Sequence, residues 1–286
     1  MKVRKHSGEL EDFDMSRLEN SLTKSGASDN DVQDVLQAIL PCLYEGMHTK
    51  DIYKLAFRLL KRKSNSFAAR YNLKRALMEL GPAGYHFEKW VAKLFAHLGY
   101  ETDTGQKIVG NAVTHEVDVV AQRADEQLLI ECKFRNTMEA KISVTTPMYF
   151  LSRFNDTAGK QFEYFGRSLP FSQGWLVTNT YWTKDAIAFG EHYGIRLLAW
   201  DYPQASSIKV RVDSAGLYPI TCLTTLVKRE RETLLNAGCI LVNDLLQRPQ
   251  LLDTLAITGR KKKQVIAEAM ALVNNPIYTT KKPTNE

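Results

Sequence analysis

The sequence predicts an α/β layered domain set between two mostly helical segments, and three observations carry that prediction. Strand-like apolar runs alternate with helix-like spacing between about residues 81 and 212. Residues 1–80 and 213–275 carry apolar residues three and four apart, punctuated by capping side chains. Leu80-Gly81-Pro82-Ala83-Gly84 interrupts the first of these helical patterns and marks a domain boundary. A chain of 286 residues is long enough for roughly two domains and an appendage.

The elements follow in order. Lys2 to Phe13 reads as a charged hairpin turning at Ser7-Gly8. Asp14 is placed to cap a helix over Met15–Lys24, and Asn30 or Asp31 one over Val32–Leu43. Thr49 precedes the spaced residues Ile52, Leu55, Leu59 and Leu60, and Ser64 precedes Phe67, Tyr71 and Leu77. Beyond the boundary, Phe87, Val91, Leu94, Phe95 and Leu98 form the apolar side of a helix that stops at Gly99. Strands are expected over 116–122, 127–134, 174–177 and 195–199, with helices over 154–166 and 183–193. The carboxy-terminal helices span 223–237, stopped by Gly238, then 243–255 and 260–272, the last two joined at Thr258-Gly259. Residues 276–286 read as a flexible tail.

Composition narrows the classes. An apolar content of 44% and a charged content of 24% are those of a globular chain with real cores. No apolar run is long enough to span a bilayer. Met1 to Asp14 lacks the apolar stretch of an export signal, so the expected location is cytoplasmic. The four cysteines show no metal or redox spacing and read as isolated buried thiols. A net charge of +6 suits a polyanionic partner, because Lys and Arg release counterions from phosphates.

The chemistry concentrates in Glu116-Val117-Asp118-Val119-Val120-Ala121 and Leu128-Leu129-Ile130-Glu131-Cys132-Lys133-Phe134. Alternation along a strand puts Glu131 and Lys133 on one face and Ile130, Cys132 and Phe134 on the other. Folding the hairpin about Ala124-Asp125 sets Asp118 opposite Glu131, at roughly 5 Å between Cβ atoms. Two adjoining carboxylates repel, and a divalent cation with hard oxygen preference, Mg²⁺ above all, compensates them while keeping sites for water and phosphate. Such an ion activates water and polarises a phosphoryl oxygen, and Lys133 can position that water or steady the pentavalent charge. The acid-x-Lys triplet alone carries little, since Glu139-Ala140-Lys141 repeats it. Its setting inside an apolar strand, where ionisable groups are costly unless bound to something, separates a site from a structural salt bridge.

Gly84-Tyr85-His86-Phe87-Glu88, His115-Glu116-Val117-Asp118-Val119-Val120-Ala121, Ile130-Glu131-Cys132-Lys133-Phe134, Lys160-Gln161-Phe162-Glu163-Tyr164 and Trp175-Leu176-Val177-Thr178-Asn179 together resemble the Mrr-like branch of the PD-(D/E)XK nucleases. The resemblance covers about residues 81–201. It implies a restriction-endonuclease-like mixed sheet flanked by helices, with Asp118 and Glu131 as ligands of Mg²⁺ or Mn²⁺. It further implies Lys133 as the catalytic lysine, Glu88 as an accessory acid and Gln161 as a supporting polar group.

Val3-Arg4-Lys5-His6-Ser7-Gly8-Glu9-Leu10-Glu11-Asp12-Phe13-Asp14, with Arg17-Leu18 and the distal Ala69-Arg70-Tyr71-Asn72-Leu73-Lys74-Arg75, is similar to the ATP cone, with His6 where that family has Arg. That similarity implies ATP or dATP held by Val3, Lys5, Glu11 and Arg17. There is no glycine-rich loop of the P-loop kind. At the other end, Leu255-Ala256-Ile257-Thr258-Gly259-Arg260-Lys261-Lys262-Lys263 resembles a degenerate helix-hairpin-helix, whose glycine turn and basic run suit a phosphate.

The expected organisation is therefore an ATP-cone-like domain over 1–80, a nuclease domain over 81–212 and a helix-hairpin-helix-like domain over 213–275. The expected activity is metal-dependent cleavage of DNA under nucleoside triphosphate control, in a homo-oligomer. The competing reading is a nucleotide-controlled DNA-binding regulator that keeps the nuclease shell without cleaving. The intact set of Asp118, Glu131 and Lys133 speaks against it.

Overall fold

A computed structural model describes residues 1–5 and 8–274, so His6, Ser7 and the expected tail lie outside the described residues. Strands β1 (Lys2–Arg4) and β2 (Leu10–Asp12) pair antiparallel with Val3 opposite Glu11. Asp14 caps α1 (Met15–Thr23), its Oδ1 accepting from the backbone N–H groups of Ser16 and Arg17 at 3.0 and 3.3 Å. Helix α2 (Asp29–Ile39) begins earlier than the apolar spacing suggests. Its cap is Ser28, whose Oγ accepts from Asp31 N, and Pro41 tightens its end into a 3-10 turn. Helix α3 (Thr49–Lys63) closes on Lys61, Arg62 and Lys63, which favour its carbonyl end, and Ser64 caps α4 (Asn65–Tyr71). Helix α5 (Leu73–Met78) follows.

In the central part, α6 (Tyr85–His97) starts after Gly84 at φ 88 and ends before Gly99 at φ 87, a left-handed position that suits glycine. Strands β3 (Glu101–Val109), β4 (Thr114–Arg123) and β5 (Glu126–Lys133) form an antiparallel meander. After the short β6 (Lys141–Ile142) comes α7 (Thr145–Asn155), then the hairpin of β7 (Phe162–Tyr164) and β8 (Arg167–Leu169). Strand β9 (Gln173–Thr178), β10 (Tyr181–Trp182), α8 (Lys184–His192) and β11 (Arg196–Leu198) complete the layer. The five-stranded sheet runs β11-β9-β5-β4-β3 and is mixed, because β5, β9 and β11 are parallel. Helix α6 covers one face, where Phe95 meets Trp175 edge-on at 5.2 Å. Helix α7 covers the other. There Gly174 leaves room for Phe150, whose ring would lie 2.6 Å from a Cβ at that position.

The last part holds α9 (Ile208–Ala215), α10 (Lys228–Asn236), α11 (Val242–Gln247) and α12 (Gly259–Val273). By packing, the described residues form two compact units, one of residues 74–212 and one made from the two chain ends, up to residue 73 and over 213–274. The two helical ends, separate domains in the sequence reading, thus form one body. A buried network explains this. Arg70 of α4 donates from Nε to the Tyr218 hydroxyl at 3.2 Å and from Nη2 to the carbonyls of Ala271 and Leu272 that close α12. Tyr218, fully buried, donates in turn to Asp213 at 2.9 Å.

Four further expectations are corrected. The helix expected over 154–166 is instead the end of α7 plus the β7–β8 hairpin, because Gly159 at φ 75 stops helical continuation and Phe162 and Tyr164 alternate as on a strand. The helix expected over 223–237 begins only at Lys228, and that over 243–255 breaks at Pro249 into α11 and a 3-10 turn. Strand β3 went unpredicted because only Ile108 of its nine residues is buried, so it has no apolar alternation to detect. Cys42 is exposed rather than buried, carried outward by the turn after α2. Among the described residues no helix is long and apolar enough to cross a membrane.

Candidate active site

The β4–β5 register is centred on the two-residue turn Ala124-Asp125, with Ala124 at φ 50, and pairs Val120 with Leu129 and Val119 with Ile130. One step further, where Asp118 and Glu131 stand opposite, the backbone pairing stops. Strand β5 continues along β9, with Glu131 beside Leu176 and Lys133 beside Thr178, while β4 continues along β3. The two strands part, and the side chain of Asp118 takes up the freed donor: its Oδ2 accepts from Cys132 N at 2.6 Å. Its Oδ1 accepts no hydrogen bond from the described residues.

Glu131 and Lys133 share a face, as alternation requires. Lys133 Nζ donates to Glu131 Oε1 at 2.5 Å. Glu131 is 5% exposed, a depth at which a lone carboxylate is untenable. A second cation accounts for its comfort there: Arg153 of α7 donates from Nη1 to Oε2 at 2.6 Å and from Nη2 to the carbonyl of Glu116.

Charge crowding displaces the acids from their ordinary range. Burial, and then the negative charge of Glu131, push the Asp118 carboxyl up to about 7, against the pull of the Cys132 N–H. Glu88 is raised too, by burial first and then by Glu116 and Glu131, with Lys133 opposing. Its position on α6 therefore places it within the field of the set. Burial also drives the Cys132 thiol well above its ordinary range, so this cysteine is an inert packing residue.

The donor chemistry fits a hard divalent ion. Asp118 offers a free oxygen on a carboxyl whose negative form needs compensation, and Glu131 adjoins it across the strand gap. Among the described residues no three His, Cys, Asp or Glu side chains converge into a ready cage. Mg²⁺ is compatible with that, since it takes one or two carboxylates and fills its octahedron with water and substrate.

Gln161 is not brought to this set. It precedes the β7–β8 hairpin rather than riding a helix, its Oε1 accepts from Ser168 Oγ at 3.3 Å, and it lines a groove with Gln106 and Lys107 of edge strand β3. Its expected role as a supporting polar group is corrected on that ground. His115 pairs with Asp156 at 2.7 Å, and Asp156 also accepts from the N–H groups of Ala112 and Val113, so this histidine fastens the β3–β4 turn to the end of α7. Arg153 is the residue sequence reasoning missed. The signal lay in its spacing three residues after Phe150, a buried residue of the same helix, legible once α7 is placed at 145–155.

In the unit built from the two chain ends, Val3, Glu11 and Arg17 line one cavity of about 220 Å³, walled by Phe13, Ile52 and Tyr71. Tyr53 stacks on Tyr71 with ring centroids 5.0 Å apart. Burial pushes the Tyr71 hydroxyl up to about 12, keeping it neutral. Lys5 is off the wall, drawn to Glu11 at 2.7 Å, and Arg17 bonds Asp14 at 3.2 Å. Three of the four expected nucleotide residues therefore meet at one cavity, and the fourth touches it through Glu11. At the other motif, Gly259 opens α12 at φ 55, and Lys261 and Lys262 are drawn into ion pairs with Glu230 and Asp253.

Fold and site define a restriction-endonuclease-like domain, and the comparisons agree. The restriction endonuclease family model matches residues 82–202, the ATP cone domain model residues 1–78, and the AF1548-like, C-terminal model residues 218–273. A protein of Archaeoglobus fulgidus, described as uncharacterized, is 35% identical over 184 residues, which are 64% of this chain and 99% of that protein. The crystal structure of AF1548, a protein of unknown function, matches with a TM-score of 0.53 at 34% identity, covering 66% of this chain and 98% of that one. The chain belongs to the Mrr-like restriction endonuclease family, with an ATP cone domain at its amino end and an AF1548-like domain at its carboxy end.

Proposed function

We propose that this protein is a divalent-metal-dependent DNA endonuclease whose activity is set by ATP or dATP at the amino-terminal cavity. The observation that carries the reading is the opening between β4 and β5, where Asp118, Glu131 and Lys133 gather with one carboxylate oxygen left free. Asp118 and Glu131 would hold the ion, Mg²⁺ or Mn²⁺. When bound, it supplies Lewis-acid activation of water and of the scissile phosphate. Lys133, tethered by Glu131 at 2.5 Å, places its ammonium to orient the attacking water and to steady charge as it develops. Glu88, whose carboxyl is raised by burial and by the charges of Glu116 and Glu131, is suited to act as an accessory acid beside the set. DNA is the favoured substrate because the chain carries net positive charge, which suits a polyphosphate backbone. Since one site cuts one strand, double-strand cleavage calls for a dimer. The cavity at Val3, Phe13 and Tyr71 gives a base an apolar seat, with Arg17 and Lys5 near for phosphate.

Cleavage of methylated, branched, damaged and single-stranded DNA, and of RNA, with and without Mg²⁺ and nucleotide, tests the proposal. Parent protein should cut at least one substrate only with metal, and Lys133→Ala should lower that rate by about a hundredfold or more while leaving the circular dichroism spectrum intact. Equal rates in parent and variant reject the site. ATP or dATP should shift the sedimentation coefficient, and identical profiles with and without them reject nucleotide control.

A further inference from the structure

Neither oxygen of Glu131 is free. Lys133 holds Oε1 and Arg153 holds Oε2, at 2.5 and 2.6 Å. The two cations differ in setting. The Lys133 side chain is 28% exposed, whereas that of Arg153 is 12% exposed and comes from α7, outside the strand pair. The guanidinium spans Glu131 and the Glu116 carbonyl, which fixes it at two points of β4 and β5 across the gap between them.

Because both oxygens of Glu131 are engaged, a divalent ion can take one of them only if the cation on it gives way. Lys133 shares the face of β5 with Glu131, whereas Arg153 reaches it from α7, and a guanidinium held against a bound divalent ion is repelled by it. Arg153 has somewhere to go: its guanidinium already lies 5.7 Å from the ring of Tyr149, a residue 62% exposed, so a rotation about its own side chain carries it to a cation-π seat at the surface.

We infer that Arg153 competes with the divalent cation for Glu131, acting as a counter-ion that holds this carboxylate in the metal-free protein and withdraws toward Tyr149 when the ion binds. The inference rests on Asp118 and Glu131 being the metal ligands. It makes Arg153 a positioning residue that sets the metal concentration at which the enzyme is loaded, and so protects nucleic acid from cleavage when that concentration is low.

Titration of the metal-free, full-length protein with Mn²⁺, with free ion followed by electron paramagnetic resonance and no nucleic acid present, tests it. Arg153→Gln should bind Mn²⁺ about tenfold more tightly than the parent, because the competitor is gone. A purely structural arginine predicts the reverse, so unchanged or weaker binding overturns the inference. Should Arg153→Gln not fold, Arg153→Lys carries the test. Its ammonium holds one acceptor where the guanidinium holds two, so binding should tighten by about threefold, and a value equal to the parent or weaker overturns the inference. An Asp118→Asn arm separates the premise: if it binds Mn²⁺ as well as the parent, the ion is elsewhere and the ligand assignment fails whatever Arg153 does.

Discussion

Replacing Asp118 by Asn removes a charge and keeps a shape, since the amide oxygen can still accept from Cys132 N. The parent carboxyl stands at about 7 against an ordinary 3.8, raised by burial and by Glu131. At about 1.36 kcal/mol per pH unit that interval sets a ceiling near 4 kcal/mol, and with Glu131 supplying part of it the share of this one group is on the order of 2–4 kcal/mol. The sign follows from proton counting. Between pH 4 and 7 the folded protein holds a proton that the unfolded chain has released, so the stabilisation present below pH 4 is lost as pH rises through 7. Urea unfolding in EDTA at pH 5 and pH 8 measures it. The parent should lose stability across that range relative to Asp118→Asn, and the variant should be the more stable at pH 8 by about that amount. Added Mg²⁺ or Mn²⁺ should restore the parent and leave the variant unmoved. Parallel pH curves for the two proteins, with the same response to metal, would refute the account of a carboxylate strained by its neighbours and relieved by a cation.

Two further changes test the framework around the sites. Tyr218→Phe deletes a buried hydroxyl that accepts from Arg70 and donates to Asp213, and should lower stability by about 1–3 kcal/mol in denaturant unfolding. An unchanged midpoint would show that this network contributes nothing to joining the chain ends. Gly174→Ala puts a methyl group 2.6 Å from the Phe150 ring, and should destabilise by about 1–3 kcal/mol, because α7 must shift away from the sheet. Since α7 also carries Arg153, Mn²⁺ affinity in this variant should change along with stability, and an effect on neither would contradict the packing described.

The sheet was legible where one residue type dominated a face. Val119, Ile130 and Leu128 announce buried strands, and the symmetric placing of Asp118 and Glu131 about Ala124-Asp125 anticipates the observed register. What a local pattern does not convey is where pairing ends: the parting of β4 from β5 depends on β9 and β3, which claim the two strands from outside. Strand β3 was hidden for a related reason, since an edge strand with a polar surface draws its order from backbone bonds alone. Misplacing the helix at 154–166 had two consequences at once, lending Gln161 a helical seat it lacks and leaving Arg153 outside any element. The amino-terminal cavity gathers Val3, Glu11 and Arg17, which the sequence had grouped, but its aromatic wall of Tyr53 and Tyr71 comes from helices whose meeting no spacing rule reports.

Because the amino-terminal residues and those over 213–274 share one interior, the endonuclease-like portion is an insertion in the chain of another unit rather than a link in a row. Clipping the chain at 212 would leave Arg70 without Tyr218 and without the carbonyls of Ala271 and Leu272. Such a cut therefore divides one core between two pieces instead of releasing a free domain.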